Sequence, residues 1–96
     1  MLILVTLDNK DMHKASPYIH PNPTDGIITV RSNSTISSWT LFDMQGKALM
    51  AGTPDTKEVR IDLSNLPSSV YFLKIRYIDA ESVGLPGTVT RKILVK

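Results

Sequence analysis

Cysteine is absent from this chain of 96 residues, so a disulfide, a thiolate metal site and a cysteine nucleophile are all excluded. This absence does not identify the compartment in which the protein works. The formal net charge is only +2, and aromatic and basic residues are not interleaved as they are in RNA-binding proteins. We therefore expect no nucleic-acid partner.

Long apolar runs are also absent. The longest run near the start, Met1-Leu2-Ile3-Leu4-Val5, is followed by Asp8. It is too short for a membrane span, and the basic region that begins a secretory signal is missing. We therefore expect no membrane insertion. The chain is expected either to stay in the cytoplasm or to be a piece of a longer exported protein, in which case Met1 need not be a native start.

Helical periodicity is scarce, whereas short strand-like runs bounded by turn residues recur along the chain. The predicted strands are 2–7, 27–32, 37–43, 47–51, 58–63, 70–79 (the longest) and 89–95. The segments 8–17 and 80–87 are predicted to be a linker and a loop. One small domain with about seven short strands predicts an all-β fold, an immunoglobulin-like or fibronectin III-like antiparallel β-sandwich. We assign 1–17 to a strand or linker from a preceding region and 18–96 to the domain.

A cluster of turn-forming residues precedes the first strand of this domain. It reads Pro21-Asn22-Pro23-Thr24-Asp25-Gly26 and leads directly into Ile27. Each proline restricts its own φ and biases the preceding residue towards an extended conformation. We call residues 21–26 the entrance segment.

Two further turns have recognisable chemistry. Asp43-Met44-Gln45-Gly46 predicts a hairpin in which Gly46 adopts a positive φ in a type I turn with a G1 bulge. Leu66 precedes Tyr71 by five residues at the start of a long alternating strand. This spacing predicts a tyrosine corner, in which the hydroxyl bonds to backbone a few residues upstream.

Catalytic chemistry is hard to find. His13 and His20 lie in the linker and near the entrance segment without metal-ligand or triad spacing, and the tract 8–11 lacks the glycine and terminal glutamate of a calcium loop. We expect no catalytic residue, metal or cofactor, and hence no enzyme. Turn chemistry or an outer strand face accounts for the remaining aspartates considered: Asp25, Asp43, Asp55 and Asp62. The sequon 33–35 is read as an ordinary polar loop, and Trp39 is predicted to be core rather than a sugar-stacking platform.

The C-terminal run Thr90-Arg91-Lys92-Ile93-Leu94-Val95-Lys96 places three basic side chains on an apolar strand. Charges of this kind protect an edge strand from unwanted pairing. The alternative is that the strand is an address recognised by a partner. Composition alone favours edge protection.

Together, four blocks resemble the type A C-terminal sorting domain of the type IX (Por) secretion system of Bacteroidetes. They are the entrance segment, the run 41–47, the runs 61–67 and 70–75, and the basic-apolar terminus 91–96. The residues that carry the resemblance are Pro21, Asn22, Pro23, Gly26, Asp43, Gly46, Lys47, Leu66, Tyr71, Arg91, Lys92, Ile93, Val95 and Lys96. The resemblance covers residues 18–96, and the order of the blocks is its most specific property.

The resemblance implies a non-catalytic domain at the C-terminus of a larger cargo. The cargo crosses the periplasm, and the domain is recognised by an outer-membrane translocon. A sortase-like peptidase then removes the domain, with the cleavage point expected before Pro21, and the cargo is secreted or attached to the cell surface. Removal of residues 93–96 is expected to leave the fold mostly intact while trapping the cargo in the periplasm.

One residue departs from the family pattern. The family usually has glycine where this chain has Ser69, which is expected to be a tolerated variant.

The alternative function is an accessory fibronectin-like or carbohydrate-binding module of an extracellular enzyme. Such a module needs exposed aromatic side chains on one face, and the chain has one tryptophan, three tyrosines and two phenylalanines.

Overall fold

Six antiparallel strands make up the part of the chain that the computed structural model describes, residues 17–79 and 85–96. They are β1 (Tyr18–His20), β2 (Ile27–Phe42), β3 (Ala48–Gly52), β4 (Thr56–Asp62), β5 (Ser69–Asp79) and β6 (Leu85–Val95). The predicted all-β class is confirmed, with six strands here instead of about seven. The predicted strand 2–7 lies outside the described residues, as does most of the linker. Nowhere in the described ranges is there a helix long and apolar enough to cross a membrane.

The strand β2 is the longest, and it replaces two strands predicted from the sequence. The polar stretch that separates them in the prediction, 33–36, continues as strand because β2 changes partners there. Its first part pairs with β1 and β4, and its second part pairs with β3 and β5. The change coincides with an irregular register between Arg31 and Ile36, where the Ser34 amide donates to the Ser32 hydroxyl over 3.1 Å. The hydroxyl therefore supports a bend that an alternation pattern does not reveal.

The sheet curls at this bend, so that β2 belongs to two layers. We call β1, the first part of β2 and β4 the N-terminal sheet, and β3, the second part of β2, β5 and β6 the C-terminal sheet. Both direct alternate side chains into one core. The core side chains are Ile28, Val30, Ile36, Trp39, Leu41, Ile61, Leu63, Tyr71, Leu73, Ile75, Ile93 and Val95.

Two glycines make room for aromatic rings on neighbouring strands. Gly52 pairs with Trp39, and a Cβ on Gly52 would lie 2.6 Å from the indole nitrogen. Gly87 pairs with Tyr77, and a Cβ there would overlap with the phenol ring. Each ring covers the backbone of its partner glycine. Trp39 is also one of the core side chains named above, which confirms its predicted position.

The strands β5 and β6 pair along their whole length, from Ser69 opposite Val95 to Asp79 opposite Leu85. The loop predicted over 80–87 is therefore too long at its end, since residues 85–87 belong to β6. The ladder forms because both strands alternate apolar and polar residues in the same register. The inner faces bury Tyr71, Leu73, Ile75, Ile93 and Val95, and the outer faces carry a mixture of basic, hydroxyl and apolar residues.

Candidate docking site at one end of the C-terminal sheet

The four sequence blocks lie side by side at one end of the C-terminal sheet. Phe42, just before the hairpin turn, pairs with Phe72 at the start of β5, and Phe72 pairs with Lys92 near the end of β6. The backbone oxygen of Lys92 in turn accepts a hydrogen bond from the side chain of Asn22. Tertiary pairing thus brings together residues from opposite ends of the chain. We call this end of the sheet the motif end.

Asn22 acts as a substitute for a strand at the outer edge of β6. Its Nδ2 donates to the Lys92 carbonyl at 2.9 Å, and its Oδ1 accepts from the Leu94 amide at 3.0 Å. A side-chain amide carries the same donor and acceptor as a peptide group, so it can satisfy both. The prolines on either side have no N–H to offer, and the peptide bonds that precede them are cis. The side chain of Asn22 therefore supplies the contact to β6 at this point.

Thr24 continues the contact with its backbone. Its amide donates to the Leu94 carbonyl and its carbonyl accepts from the Lys96 amide, each at 2.9 Å, forming a parallel bridge opposite Val95. The hydroxyl of Thr24 accepts from the Gly26 amide and donates to the Ile27 carbonyl. The residue is only 1% exposed. Sequence reasoning placed Thr24 among turn residues and missed this structural role, because nothing local distinguishes it.

A second contact closes the entrance segment against the turn after β4. The Leu63 amide donates to the Gly26 carbonyl at 2.8 Å, and a Cβ on Gly26 would lie 3.1 Å from that of Ser64. The amide and hydroxyl of Ser64 both donate to the Asp62 carboxylate. These hydrogen bonds, the side-chain one first, hold the pKa of Asp62 below its usual value. Close approach, rather than a positive φ, is the reason for glycine at position 26.

The predicted hairpin turn is present at residues 43–47. Gly46 has a φ of 86°, and its amide donates to the Asp43 carbonyl at 3.0 Å. One carboxylate oxygen of Asp43 accepts from the amides of Gln45 and Lys47, each at 2.9 Å. The aspartate and the glycine therefore have structural roles that their positions in the sequence predict.

The predicted tyrosine corner is confirmed. The hydroxyl of Tyr71 donates to the Pro67 carbonyl at 2.6 Å, while its ring is buried in the core. Leu66 packs against the same core. Ser69 is a strand residue opposite Val95. Its φ is not positive, since Asp55 is the one non-glycine residue with a positive φ in the described ranges. Ser69 thus has no need of glycine's freedom. Asp43, Leu66 and Tyr71 line an open depression of about 400 Å³.

The C-terminal residues are structural as well as basic. Ile93 and Val95 are buried, at 0% and 3% exposure, and Arg91 lies on the same face. Lys92 and Lys96 are exposed on the opposite face. Removing residues 93–96 would take away two core side chains and the partners of Thr24 and Asn22. The structure therefore predicts that this deletion destabilises the fold, contrary to the expectation from the sequence.

The part of β6 that precedes Lys92 has an open edge. Leu94 directs its amide and carbonyl away from β5, towards the entrance segment. Alternation along the strand directs the same groups of Thr88 and Thr90 towards that outer edge. Among the described residues, none hydrogen-bonds to these groups. Backbone donors and acceptors remain at this edge for another strand.

The other residues considered as candidates for a functional site have ordinary structural positions. His20 stacks on Tyr18 with ring centroids 4.9 Å apart, Asp25 lies 3.9 Å from the Lys96 ammonium, and His13 is outside the described residues. Within 17–79 and 85–96, no three histidine, aspartate or glutamate residues form a group that could hold a metal. Trp39 and Tyr71 are buried, so neither ring is available to stack on a sugar.

These features define a class of protein: a small immunoglobulin-like β-sandwich with its distinctive residues gathered at one end of one sheet. Among solved structures, it is similar to CopC from Methylosinus trichosporium OB3b, with a TM-score of 0.57 and 14% sequence identity. The similarity covers 83% of this chain and 93% of that one, and it concerns the fold alone. A search of curated proteins finds no match.

The family model described as "Secretion system C-terminal sorting domain" matches residues 18–96. The chain belongs to this family, whose members are non-catalytic sorting domains of type IX secretion in Bacteroidetes. It therefore has a sorting role in an exported protein.

Proposed function

We propose that residues 18–96 direct a larger cargo, fused upstream, through the outer membrane by docking to the type IX translocon. The carrying observation is the convergence of four separated sequence blocks at the motif end. A set of residues that served only local turns would have no reason to meet. A docking surface made from several segments requires such a meeting.

In this proposal the motif end holds the segments together, and the adjacent edge of β6 receives the partner. The side chains of Asn22, Tyr71 and Asp43 hold segments in place through the hydrogen bonds described above. The exposed outer edge at Thr88 and Thr90 then receives an extended strand of the partner by β-augmentation. Because the entrance segment already bonds to β6 from the Lys92 carbonyl onwards, the partner strand can pair only with the part of the edge that precedes this carbonyl.

Hydrogen bonds along this edge give only modest affinity. Each backbone hydrogen bond contributes about 1 kcal/mol net. The few groups of Thr88, Thr90 and the Lys92 amide would together supply on the order of 5 kcal/mol, which the loss of translational and rotational freedom on association would offset. Specific docking therefore needs side-chain contacts near the edge as well.

After translocation, we propose that a sortase-like peptidase cuts in the polar stretch before Pro21, releasing the cargo or transferring it to the cell surface. The support is the position of that stretch ahead of the bound entrance segment. The entrance segment is held to β6 by the Asn22 side chain and by the backbone of Thr24, and to the turn after β4 by the Gly26 carbonyl. A peptidase needs an extended, accessible chain, which the bound segment does not offer.

The test is a fusion of a signal peptide, a reporter enzyme and residues 1–96, expressed in a bacterium with type IX secretion and in a mutant lacking it. Reporter outside the wild-type cells and in the periplasm of the mutant is the expected result. Equal distribution in the two strains would contradict the sorting function.

The edge mechanism has its own variant. Thr90→Pro removes an outward amide from the edge while leaving the ladder to β5 uninterrupted. Reduced secretion with a little-changed melting temperature is expected. The matched control is Thr53→Pro, which lies between β3 and β4, away from the edge. Normal secretion of Thr90→Pro would argue against β-augmentation at this edge.

A further inference from the structure

The outward face of the C-terminal sheet has a composition that the core and the turns do not explain. Register places its residues in rows across β2, β5 and β6. One row is Phe42, Phe72 and Lys92. The next rows are Thr40, Lys74 and Thr90, and then Ser38, Arg76 and Thr88. Val70 and Leu94 form a further pair at the motif end. We call these residues the cationic face.

The cationic face carries positive charge without neutralisation. Lys74, Arg76 and Lys92 are exposed, and within the described part of the chain none of them makes an ion pair or a side-chain hydrogen bond. None of the residues in the rows named above, all of them described by the structure, is a carboxylate. Because like charges this close repel each other, an acidic surface placed opposite would gain from all three.

The outer face of the N-terminal sheet is different. There Arg31 donates to Glu58 at 2.9 Å, and the exposed residues of β4 alternate in sign between Glu58, Arg60 and Asp62. Ordinary solvation accounts for mixed charge of this kind. The same explanation does not account for a face with one sign only.

Apolar side chains adjoin the cations. Phe42 and Phe72 are a cross-strand pair and are half-buried, Val70 is half-buried, and Leu94 is 40% exposed. Apolar groups surrounded by charge and hydroxyls are the arrangement of a protein–protein interface. Phe42 and Phe72 are half-buried, whereas insertion into a lipid surface needs apolar side chains that project.

We propose that the cationic face docks an acidic protein surface whose apolar side chains cover Phe42, Phe72 and Leu94. The partner that carries this surface is the outer-membrane secretion machinery, and this part of the proposal depends on the proposed function. The chemistry of the contact follows from the face itself. It lies beside the open edge at Thr88 and Thr90, so one partner can use both.

The size of the face sets the expected strength. Strand spacing and residue rise give it a footprint of roughly 300–400 Å². An interface of this size is small and belongs to the transient class. A transient contact suits a domain that must be released after its cargo has crossed.

The experiment reverses charge on this face and, as a matched control, on the other sheet. The variants are Lys74→Glu with Arg76→Glu, and Lys57→Glu with Arg60→Glu. Each pair exchanges one lysine and one arginine, all exposed and without an ion pair among the described residues. Both purified variants should melt as the wild type does. In the reporter fusion, secretion should fall about tenfold or more for the first pair and change less than about twofold for the second.

A photoreactive amino acid at position 90 identifies what touches the face during secretion. Mass spectrometry of the adduct should map to a protein segment rich in aspartate and glutamate, and Lys74→Glu with Arg76→Glu should abolish it. An adduct with lipid or lipopolysaccharide alone would overturn the proposal. So would equal secretion of the two charge-reversed fusions, or an adduct that charge reversal leaves unchanged.

Failure of the proposed function gives a different pattern. If the wild-type fusion is distributed equally in secreting and mutant cells, the sorting role is wrong. In that case the adduct still tests whether the cationic face docks a protein. A charge-dependent adduct with a protein supports it, and the absence of one overturns it. Flotation with vesicles of phosphatidylethanolamine and phosphatidylglycerol adds an independent reading, since charge-dependent binding to them would assign the face to lipid.

Discussion

The two parts of β6 differ in how they are held. Residues 92–96 are hydrogen-bonded on both sides, to β5 and to the entrance segment, with Ile93 and Val95 buried beneath. Residues 87–90 are bonded to β5 on one side, and on the other side no residue of 17–79 or 85–96 pairs with them. We call these the locked part and the open part. The terminal residues, which resemble an address, thus also hold the fold together, while the exposed backbone lies upstream of them.

The largest expected effect comes from the locked part. Ile93→Ala removes a side chain that is 0% exposed and should lower the free energy of unfolding by about 3 kcal/mol. Urea denaturation measures it. The matched control is Leu94→Ala, one residue along and 40% exposed, which should cost much less. Equal losses would show that the terminus is not locked.

A tyrosine pair compares the two parts directly. Tyr71 lies opposite Ile93 in the locked part and donates to Pro67, whereas Tyr77 lies opposite Gly87 in the open part. Tyr71→Phe leaves a part-buried carbonyl without its partner and should cost about 1–2 kcal/mol. Tyr77→Phe should be nearly neutral, since its hydroxyl has no hydrogen bond among the described residues. Thermal unfolding distinguishes them, and the reverse order would contradict the comparison.

Asn22→Ala should unlock one side of the terminus. It removes two exposed hydrogen bonds, for a loss of about 1 kcal/mol. Hydrogen exchange of the Leu94 amide should accelerate, because Asn22 is its acceptor. The control Asn65→Ala changes an exposed asparagine whose side chain makes no hydrogen bond among the described residues. Unchanged exchange at Leu94 in Asn22→Ala would contradict the role of the side chain.

The smallest effect concerns pH and should leave β6 unaffected. The pKa of Asp62 is lowered in the folded state by its bonds to Ser64. A lowered pKa gives stability that is present above the unfolded value of 3.8 and is lost as pH falls through the folded value. The advantage of the wild type over Asp62→Asn should therefore shrink in acid, by a small amount because the carboxylate is exposed. An advantage that grows in acid would contradict this assignment.

Local patterns were sufficient for much of the fold. Alternation on 70–79 and 89–95 correctly predicts strands with one buried face, since the period of a strand is two residues. The hairpin at Asp43 and Gly46 and the corner at Tyr71 also follow from the sequence, because their bonds reach only a few residues along the chain.

Other features were not predictable in this way. The continuity of β2 through Ser32 and Ser34 was missed, because buried hydroxyls on a bent strand look like a loop in the sequence. The bonds from Asn22 to Lys92 and Leu94 join residues about 70 positions apart. No local rule selects among the many possible partners of an asparagine.

The amino-acid sequence by itself thus determined the all-β class, the turns at 43–47 and 67–71, and the four blocks that mark the family. Only the tertiary structure decided that these blocks meet at one end of one sheet, that the terminus is locked, and that Lys92 joins Lys74 and Arg76 on one face whose described side chains include no carboxylate. The physical reason is range. Turns and strand periodicity arise from neighbours along the chain, whereas strand order and register arise from burying one common core.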